Sequence, residues 1–184
     1  PVPGLDHRAI YFPRGKVLGG SSSINAMVYS RGQASDFDDW AALGNPGWRW
    51  ADVLPLYRRM EDHALGAGPY HGAGGPLHVT DISGAEHPLT RVYLQAGQEA
   101  GLPLSRDLNG ETIEGVGLYQ VNTAHGFRMS ASRAYLWPAR KRPNLRIDVN
   151  VLVTRILLDG TRAVGVGYRR GGQEREARAG KEVI

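Results

Sequence analysis

The sequence predicts an α+β fold in which several short helices accompany mixed or antiparallel strands. Between residues 35 and 136, apolar residues recur at helical spacing in short stretches, and loops rich in glycine and proline separate them. From residue 144 onward, apolar and polar residues alternate along runs that end in Asp-Gly or Gly-Gly, which is typical of antiparallel hairpins. The 184 residues suffice to bury a sizeable core.

A stretch rich in glycine and serine near the N-terminus, residues 13–40, is the most distinctive part of the chain. Gly15, Gly19 and Gly20 allow the backbone to bend and a flat or charged group to approach it. Three serines follow, and we predict a turn that opens a short helix over residues 22–27. The N–H groups at such a helix start suit an anionic or electron-rich partner. On composition alone, a surface loop that caps an ordinary helix is the simpler interpretation.

Helical periodicity predicts further helices over residues 35–42, 48–62 and 87–100, and another that begins near Ser130 or Ser132. Each has one apolar face that we expect to point inward. The side chains on these faces are Phe37, Trp40 and Leu43, then Val53, Leu56, Tyr57 and Met60, then Leu89, Val92, Tyr93 and Ala96, and finally residues 134–136.

Extended backbone is predicted at residues 1–12, and alternation predicts strands at residues 77–80, 118–123, 145–149, 151–157 and 163–168. Another short strand is predicted at residues 173–178, and residues 181–184 are predicted to begin an apolar strand. Asp159-Gly160 and Gly171-Gly172 are the predicted hairpin turns. Residues 64–76 form a loop by composition. His71 lies in this loop, and we expect it to be solvated and without function.

Charged residues are distributed unevenly along the chain, and this distribution helps to decide which classes of partner the chain could bind. The net charge is +4, with 9 basic and 13 acidic residues up to position 125, and 13 basic and 5 acidic residues after it. No aromatic residues interleave with the basic ones, so we expect no nucleic-acid binding. There is no cysteine, and the six histidines lack the spacing of metal ligands, so we expect no metal site. No apolar run is long enough to span a bilayer, and no signal peptide is recognisable.

Residues 15–25, GKVLGGSSSIN, with Tyr29, Gly32 and Asp38 after them, resemble the first signature of the glucose–methanol–choline (GMC) oxidoreductases. The flanking residues are most similar to bacterial members of the choline-dehydrogenase type. Other segments resemble the family in the expected order, namely residues 37–40, 45–48, 70–77, 126–136, 143–145 and 181–184.

The resemblance implies the central part of a fold that joins an FAD domain to a substrate domain. It implies that residues 1–45 hold the flavin-contacting signature, residues 46–143 a portion of the substrate domain, and residues 144–184 strands of the FAD domain. The chain begins with Pro rather than Met. It also lacks both the family's G-x-G-x-x-G motif and its second signature, so we expect an internal fragment.

The resemblance also implies FAD as the cofactor and oxidation of a primary alcohol, choline-like or other, by hydride transfer to flavin N5. Ile24 stands where some members carry the histidine that attaches FAD, so we expect non-covalent FAD. The family's catalytic histidine is expected beyond Ile184, and no catalytic residue is assigned in this chain. The residues expected to contact the cofactor, with Val153 at its adenine end, are Val17, Gly19, Gly20, Ser21, Asn25, Ala26, Met27, Val28 and Val153.

Two alternatives stay open. One is a flavin-dependent lyase of the hydroxynitrile type, which would release cyanide and aldehyde without net redox change. The other is a non-catalytic binding or assembly domain, which would take up no flavin. Apolar strand surface at residues 151–158 and 183–184 predicts self-association, and we expect a cytoplasmic, bacterial location.

Overall fold

The chain folds into two units, one that ends at Arg140 and one that comprises Lys141–Ile184. The computed structural model describes residues 3–184, so the extended backbone expected at residues 1–2 lies outside the described residues. Helices and short strands make up the first unit, and an antiparallel sheet makes up the second. This confirms the α+β class. Within residues 3–184, no helix has the length and apolar character needed to cross a membrane.

The N-terminal region differs from both predictions made for it. The extended backbone predicted for residues 1–12 is wrong at Pro3–Leu5, which form a 3₁₀ turn, and at Asp6 and His7, whose φ values are 55° and 54°. A second 3₁₀ turn, Gly20–Ser23, replaces the helix predicted over residues 22–27. This turn stops early because the Asn25 side chain accepts the N–H of Met27 at 3.1 Å. Met27 itself is left-handed, with φ 64°, a conformation that cannot continue a right-handed helix.

Helices α1, Ala34–Ala42, and α2, Trp50–Met60, pack together through an aromatic cluster. Phe37 at its centre is 5% exposed, as predicted. Its ring centroid lies within 6 Å of three neighbouring aromatic rings, those of Trp40, Trp50 and Tyr57. The inward orientation predicted for Trp40, Leu43 and Leu56 is wrong, since they are 47%, 80% and 51% exposed.

Strand β1, Glu61–His63, follows α2 directly and pairs in parallel with β2, Leu77–Val79. The predicted loop, residues 64–76, joins the two strands and folds back onto α2. Gly72 allows this close approach, because a Cβ there would overlap the carbonyl oxygen of Arg58. The neighbouring His71 is thereby carried inward beside β1.

Helix α3, Pro88–Glu99, begins with His87 Nδ1 accepting the N–H of Leu89 at 3.2 Å. The helix approaches its unit through Gly97, where a Cβ would lie 2.5 Å from the side chain of Val116. The inward face predicted for Leu89, Val92 and Tyr93 is wrong, since they are 69%, 62% and 75% exposed. Ala96 on the same face is exposed as well. The helix therefore packs against its unit on the side of Gly97, and the apolar face formed by Leu89, Val92 and Tyr93 points outward.

A short hairpin of β3, Thr123–Ala124, and β4, Phe127–Arg128, precedes a π-helical turn, Ser132–Leu136, and the short helix α4, Trp137–Ala139. Of the strand predicted over residues 118–123, only Thr123 lies in a strand, β3, and Val121 makes single bridges to Val28 and to Thr80. In the π-helical turn Ala134 is buried as expected, but Tyr135 is 41% exposed.

The second unit is a three-stranded antiparallel sheet in the order β5-β6-β7. Its strands are β5, Leu152–Asp159, β6, Arg162–Arg170, and β7, Gln173–Arg178. Both predicted hairpin turns are confirmed. The strands predicted at residues 145–149 and 181–184 are wrong, because neither segment pairs with a strand in the described part of the chain.

Candidate functional site

The glycine–serine segment, residues 15–28, makes a tight reversal of the backbone. Gly19 and Gly20 have φ of 93° and 54°. A Cβ at Gly15 would overlap the carbonyl oxygen of Gly20, which shows how closely the backbone approaches itself across the turn. A Cβ at Gly20, by contrast, would meet nothing within 4 Å. The backbone at Gly20 is therefore open to a ligand.

One side of the segment is anchored to β4 and the residues after it. The Arg128 guanidinium donates to the carbonyl and the side-chain oxygens of Asn25, both at 2.7 Å, and to the carbonyl of Ser22 at 3.3 Å. The Ser22 hydroxyl donates to the carbonyl of Gly19 and accepts the N–H of Ala131 at 2.9 Å. These contacts give a structural role to residues 128–132, which the sequence had flagged only by resemblance.

The other side of the segment is apolar and exposed. Val17, Ile24 and Val28 are 57%, 48% and 44% exposed. Among the predicted cofactor residues, Val17, Gly19, Gly20, Ser21, Asn25, Ala26, Met27 and Val28 are all in this segment. Val153 lies in β5 of the second unit and is 55% exposed.

A cavity of about 330 Å³ adjoins the segment, and its wall is mostly apolar. All three methionines of the chain, Met27, Met60 and Met129, line it. Asn122 also lines it, and its buried side-chain nitrogen has no hydrogen-bond partner among the described residues.

A buried charge cluster is formed by Arg31, which follows the segment closely in the sequence, and by Glu61, His71 and Asp107. Arg31 pairs with Glu61, and their side chains are 1% and 0% exposed. The Glu61 carboxylate also accepts the Tyr29 hydroxyl at 2.8 Å and the N–H of Gly72 at 2.7 Å. The cluster joins four separate segments of the first unit.

His71 bridges the two carboxylates of the cluster. Its Nδ1 lies 3.2 Å from Glu61 Oε1, and its Nε2 lies 2.7 Å from Asp107 Oδ2. Burial disfavours the imidazolium, but the hydrogen bonds to Asp107 and Glu61 outweigh it and raise the pKa of His71 to about 8. The expectation that His71 is solvated and idle is wrong, since the residue is 6% exposed.

The other titratable groups of the cluster respond to the same burial and hydrogen bonds. Burial opposes the charge of Glu61, yet hydrogen bonds from His71, Arg31 and Gly72 hold its pKa at about 2. Burial raises the pKa of the Tyr29 phenol. The pKa of Asp107 is lowered because its hydrogen bonds from His71 and Asn109 outweigh its burial.

His63 stacks on His71 with ring centroids 3.7 Å apart. Burial lowers the pKa of His63, and the charge of His71 lowers it further. Its Nδ1 accepts the N–H of Leu65 at 3.2 Å, so the neutral ring carries its proton on Nε2. That N–H is buried and has no partner among the described residues.

The sequence gives no local sign of this cluster, because its members stand at positions 31, 61, 71 and 107 and meet only in the folded unit. The turn at residues 107–110 was recognisable, but its contacts were not. Within residues 3–184, no three His, Asp or Glu side chains are arranged to hold a metal ion.

Known proteins resemble the chain over its whole length. Residues 2–184 match the profile of the family described as GMC oxidoreductase. A mitochondrial choline dehydrogenase of Mus musculus is 48% identical over 184 residues, which are 100% of this chain and 31% of that protein. An oxygen-dependent choline dehydrogenase of Sinorhizobium medicae (strain WSM419) is 47% identical over 100% of this chain and 33% of its own length.

Solved structures show the same relation. Pyridoxine 4-oxidase from Mesorbium loti superposes with a TM-score of 0.83 and 35% identity, over 90% of this chain and 33% of that one. An FAD-dependent oxidoreductase from Chaetomium thermophilum gives a TM-score of 0.85 and 32% identity, over 97% and 33% of the two chains. The chain thus spans about a third of the length of these relatives, and it belongs to the GMC oxidoreductase family.

Proposed function

We propose that this chain is part of an FAD-dependent enzyme that oxidises a primary alcohol, and that the glycine–serine segment is where it contacts the flavin. The observation that carries the proposal is the open backbone at Gly20, flanked by the exposed apolar side chains of Val17 and Val28. A flat ring with an apolar body and a polar edge matches such a surface.

The residues of the segment fit a flavin by their chemistry. Glycine at position 20 removes a side chain that would hold a ring away from the backbone, whereas a Cβ at Gly19 would point into the protein, toward Ser23 and Ser130. The backbone N–H groups of Ser21, Ala26 and Val28, which have no acceptor among the described residues, are the proposed donors to the polar edge of the ring. When bound, FAD would supply the acceptor for the hydride that leaves the alcohol carbon. Arg128 holds Asn25 and Ser22, so the donors would be fixed before the cofactor binds.

We propose non-covalent binding, because Ile24 offers no nucleophile for attachment to the ring. Denaturation should therefore release all flavin from the polypeptide. We propose Val153 as a backbone contact at the adenine end, and the catalytic base as a histidine beyond Ile184. Consistent with that, His63 and His71 are enclosed in the interior of the first unit.

The experiment uses the full-length protein, purified and examined by absorption spectroscopy. We expect a bound flavin whose visible absorption bleaches when choline or another primary alcohol is added without oxygen. The relatives named above are dehydrogenases and oxidoreductases, which does not favour the lyase alternative. Cyanide release without bleaching would support the lyase instead. A preparation that takes up no flavin on titration would support the non-catalytic alternative.

A matched pair of glycine variants tests the contact itself. Gly20 and Gly160 have φ of 54° and 57°, and a Cβ at either meets nothing within 4 Å. Gly20→Ala and Gly160→Ala should therefore lose similar stability, since both force a left-handed alanine. Only Gly20→Ala should weaken flavin binding, measured by fluorescence titration. Equal flavin affinity in the two variants would contradict flavin binding at this segment.

The substrate and location are proposed at a coarser level. The relatives named as choline dehydrogenases make choline the first alcohol to test. They include mitochondrial as well as bacterial proteins, so the cytoplasmic location stays a prediction. Self-association also stays a prediction, supported by the exposure of Leu152, Ile156 and Leu158 on the edge strand β5.

A further inference from the structure

The two carboxylates beside His71 favour two protons on its ring. Each ring nitrogen faces a carboxylate oxygen, Nδ1 at 3.2 Å from Glu61 and Nε2 at 2.7 Å from Asp107. A carboxylate accepts hydrogen bonds and donates none, so a neutral imidazole can satisfy only one of the two. With His71 protonated, the four members of the charge cluster sum to zero charge.

Loss of that proton has a defined structural consequence. Nδ1 would turn from donor to acceptor, and its neighbouring donor is the Arg31 guanidinium at 3.2 Å. The same guanidinium nitrogen already pairs with Glu61. Deprotonation therefore removes the Nδ1 donor to Glu61 and leaves one unbalanced negative charge in the cluster.

A short relay of hydrogen bonds connects His71 to the glycine–serine segment. Asp107, held by His71, accepts the N–H of Asn109 at 2.9 Å. The Asn109 side chain then accepts the N–H of Arg31 and donates to the carbonyl of Tyr29, both at 3.0 Å. Arg31 and Tyr29 directly follow the segment, so this amide fixes the backbone where the segment ends.

We propose that His71, as an imidazolium shared between Glu61 and Asp107, is a positioning residue that holds the end of the glycine–serine segment, so that both the fold and flavin binding weaken when His71 loses its proton. The part that concerns flavin rests on the proposed function above. The part that concerns the fold does not, because every contact in the relay is internal to the first unit.

Several charged or titratable groups face His71, and all enter its titration. They are Glu61 and His63 from β1, Arg31 and Tyr29 from the end of the segment, Asp107 from its loop, and Arg58 from α2, whose Nε lies 3.4 Å from the His71 carbonyl. The raised pKa of His71 shows that the two carboxylates prevail in this balance.

The direction of the pH dependence follows from the raised pKa. A histidine whose pKa is higher in the folded than in the unfolded state stabilises the fold fully below the unfolded value, about 6.5, and this stability is lost as the pH rises through about 8. The shift corresponds to a roughly 10- to 30-fold change in the unfolding equilibrium constant.

The experiment measures unfolding of the full-length protein between about pH 6 and about pH 9, across the interval in which His71 changes charge. The wild type should lose stability over the upper part of this range. His71→Gln should be less stable throughout and lack that pH-dependent loss. Asp107→Asn should shift the loss to lower pH, because it removes the carboxylate that supports the proton on Nε2. Asp107→Asn also serves if His71→Gln does not fold.

His78→Gln is the matched control. His78 also pairs with an aspartate, Asp62, at 3.0 Å, but its side chain is 42% exposed. This variant should keep the wild-type pH profile. If His71→Gln keeps it as well, or Asp107→Asn leaves the pH interval unchanged, the proposal is overturned.

Flavin affinity provides the second readout, by fluorescence titration at pH 6.5 and above pH 8. The dissociation constant of the wild type should rise with pH, and that of His71→Gln should be high at both values. A protein that binds no flavin at any pH would refute the proposed function, and the unfolding profiles would still decide the role of His71. An affinity independent of pH in a protein whose stability depends on His71 would overturn the flavin part alone.

Discussion

The buried charge cluster and the glycine–serine segment are connected through Arg31, which follows the segment closely in the sequence, but they are built in opposite ways. Arg31 and Glu61 in the cluster are almost fully enclosed, and every charge faces an opposite one within the first unit. Val17 and Ile24 in the segment are about half exposed, although they are apolar. The cluster is complete within this chain, whereas the segment is fixed from one side and open on the other. This difference fits the proposed roles, with the cluster as support and the segment as the binding surface.

The contrast between the cluster and the segment requires that the cluster be essential to the fold. Glu61→Gln leaves Arg31 as an uncompensated buried charge and should lower the free energy of unfolding by about 3–5 kcal/mol, measured by chemical denaturation. The control is Glu174→Gln, which removes a 2.8 Å pair with Arg169 whose side chains are about half exposed. The control should cost less than about 1 kcal/mol. Similar losses in the two variants would show that burial gives the cluster no special weight.

The close packing that carries His71 inward can be tested next. Gly72→Ala would place a methyl group on the Arg58 carbonyl and push the loop away from Glu61, at a cost of about 1–3 kcal/mol. Gly68→Ala lies in the same loop, where a Cβ meets nothing within 4 Å. It should leave the thermal midpoint nearly unchanged. A harmless Gly72→Ala would mean that the loop does not depend on this contact.

The segment should respond in binding rather than in stability. Arg128→Gln removes the charged donor to Asn25 and Ser22, and hydrogen bonds of this kind contribute about 1.5–3 kcal/mol. We expect flavin affinity to fall by roughly 10- to 100-fold in fluorescence titration. Arg140→Gln removes an equal charge from a guanidinium stacked on Trp137, and it should bind flavin as the wild type does. Loss of affinity in both variants would point to overall charge instead of anchoring.

The smallest effect is expected at the stacked histidine. His63→Phe removes the buried N–H that has no partner among the described residues, keeps an aromatic face on His71, and loses the acceptor for Leu65. These changes offset one another, and the free energy of unfolding should move by less than about 1 kcal/mol. A loss as large as that of Glu61→Gln would make His63 a full member of the cluster.

The segment was predictable from the sequence and the cluster was not, for a physical reason. Turns such as that at Gly19 and Gly20 depend on a few adjacent residues, so their signal is local. The role of His71 depends on Asp107, which is 36 positions away in the sequence, and on Glu61, which is 10 positions away. Only folding brings these three residues together.

Helical periodicity predicted the helices but not always which side is covered. In α1, Phe37 is buried as its spacing predicts. In α3, Leu89 and Tyr93 show equally good spacing and remain exposed. Periodicity shows that one face is apolar, whereas its burial depends on which partner lies opposite.

Met27, Met60 and Met129 all line one cavity, so the side chains most susceptible to forming sulfoxides lie together. Thioethers are converted by peroxide into polar, chiral sulfoxides that no longer pack against apolar neighbours. Oxidative ageing of this unit should therefore begin at the wall of that cavity, directly beside Asn25.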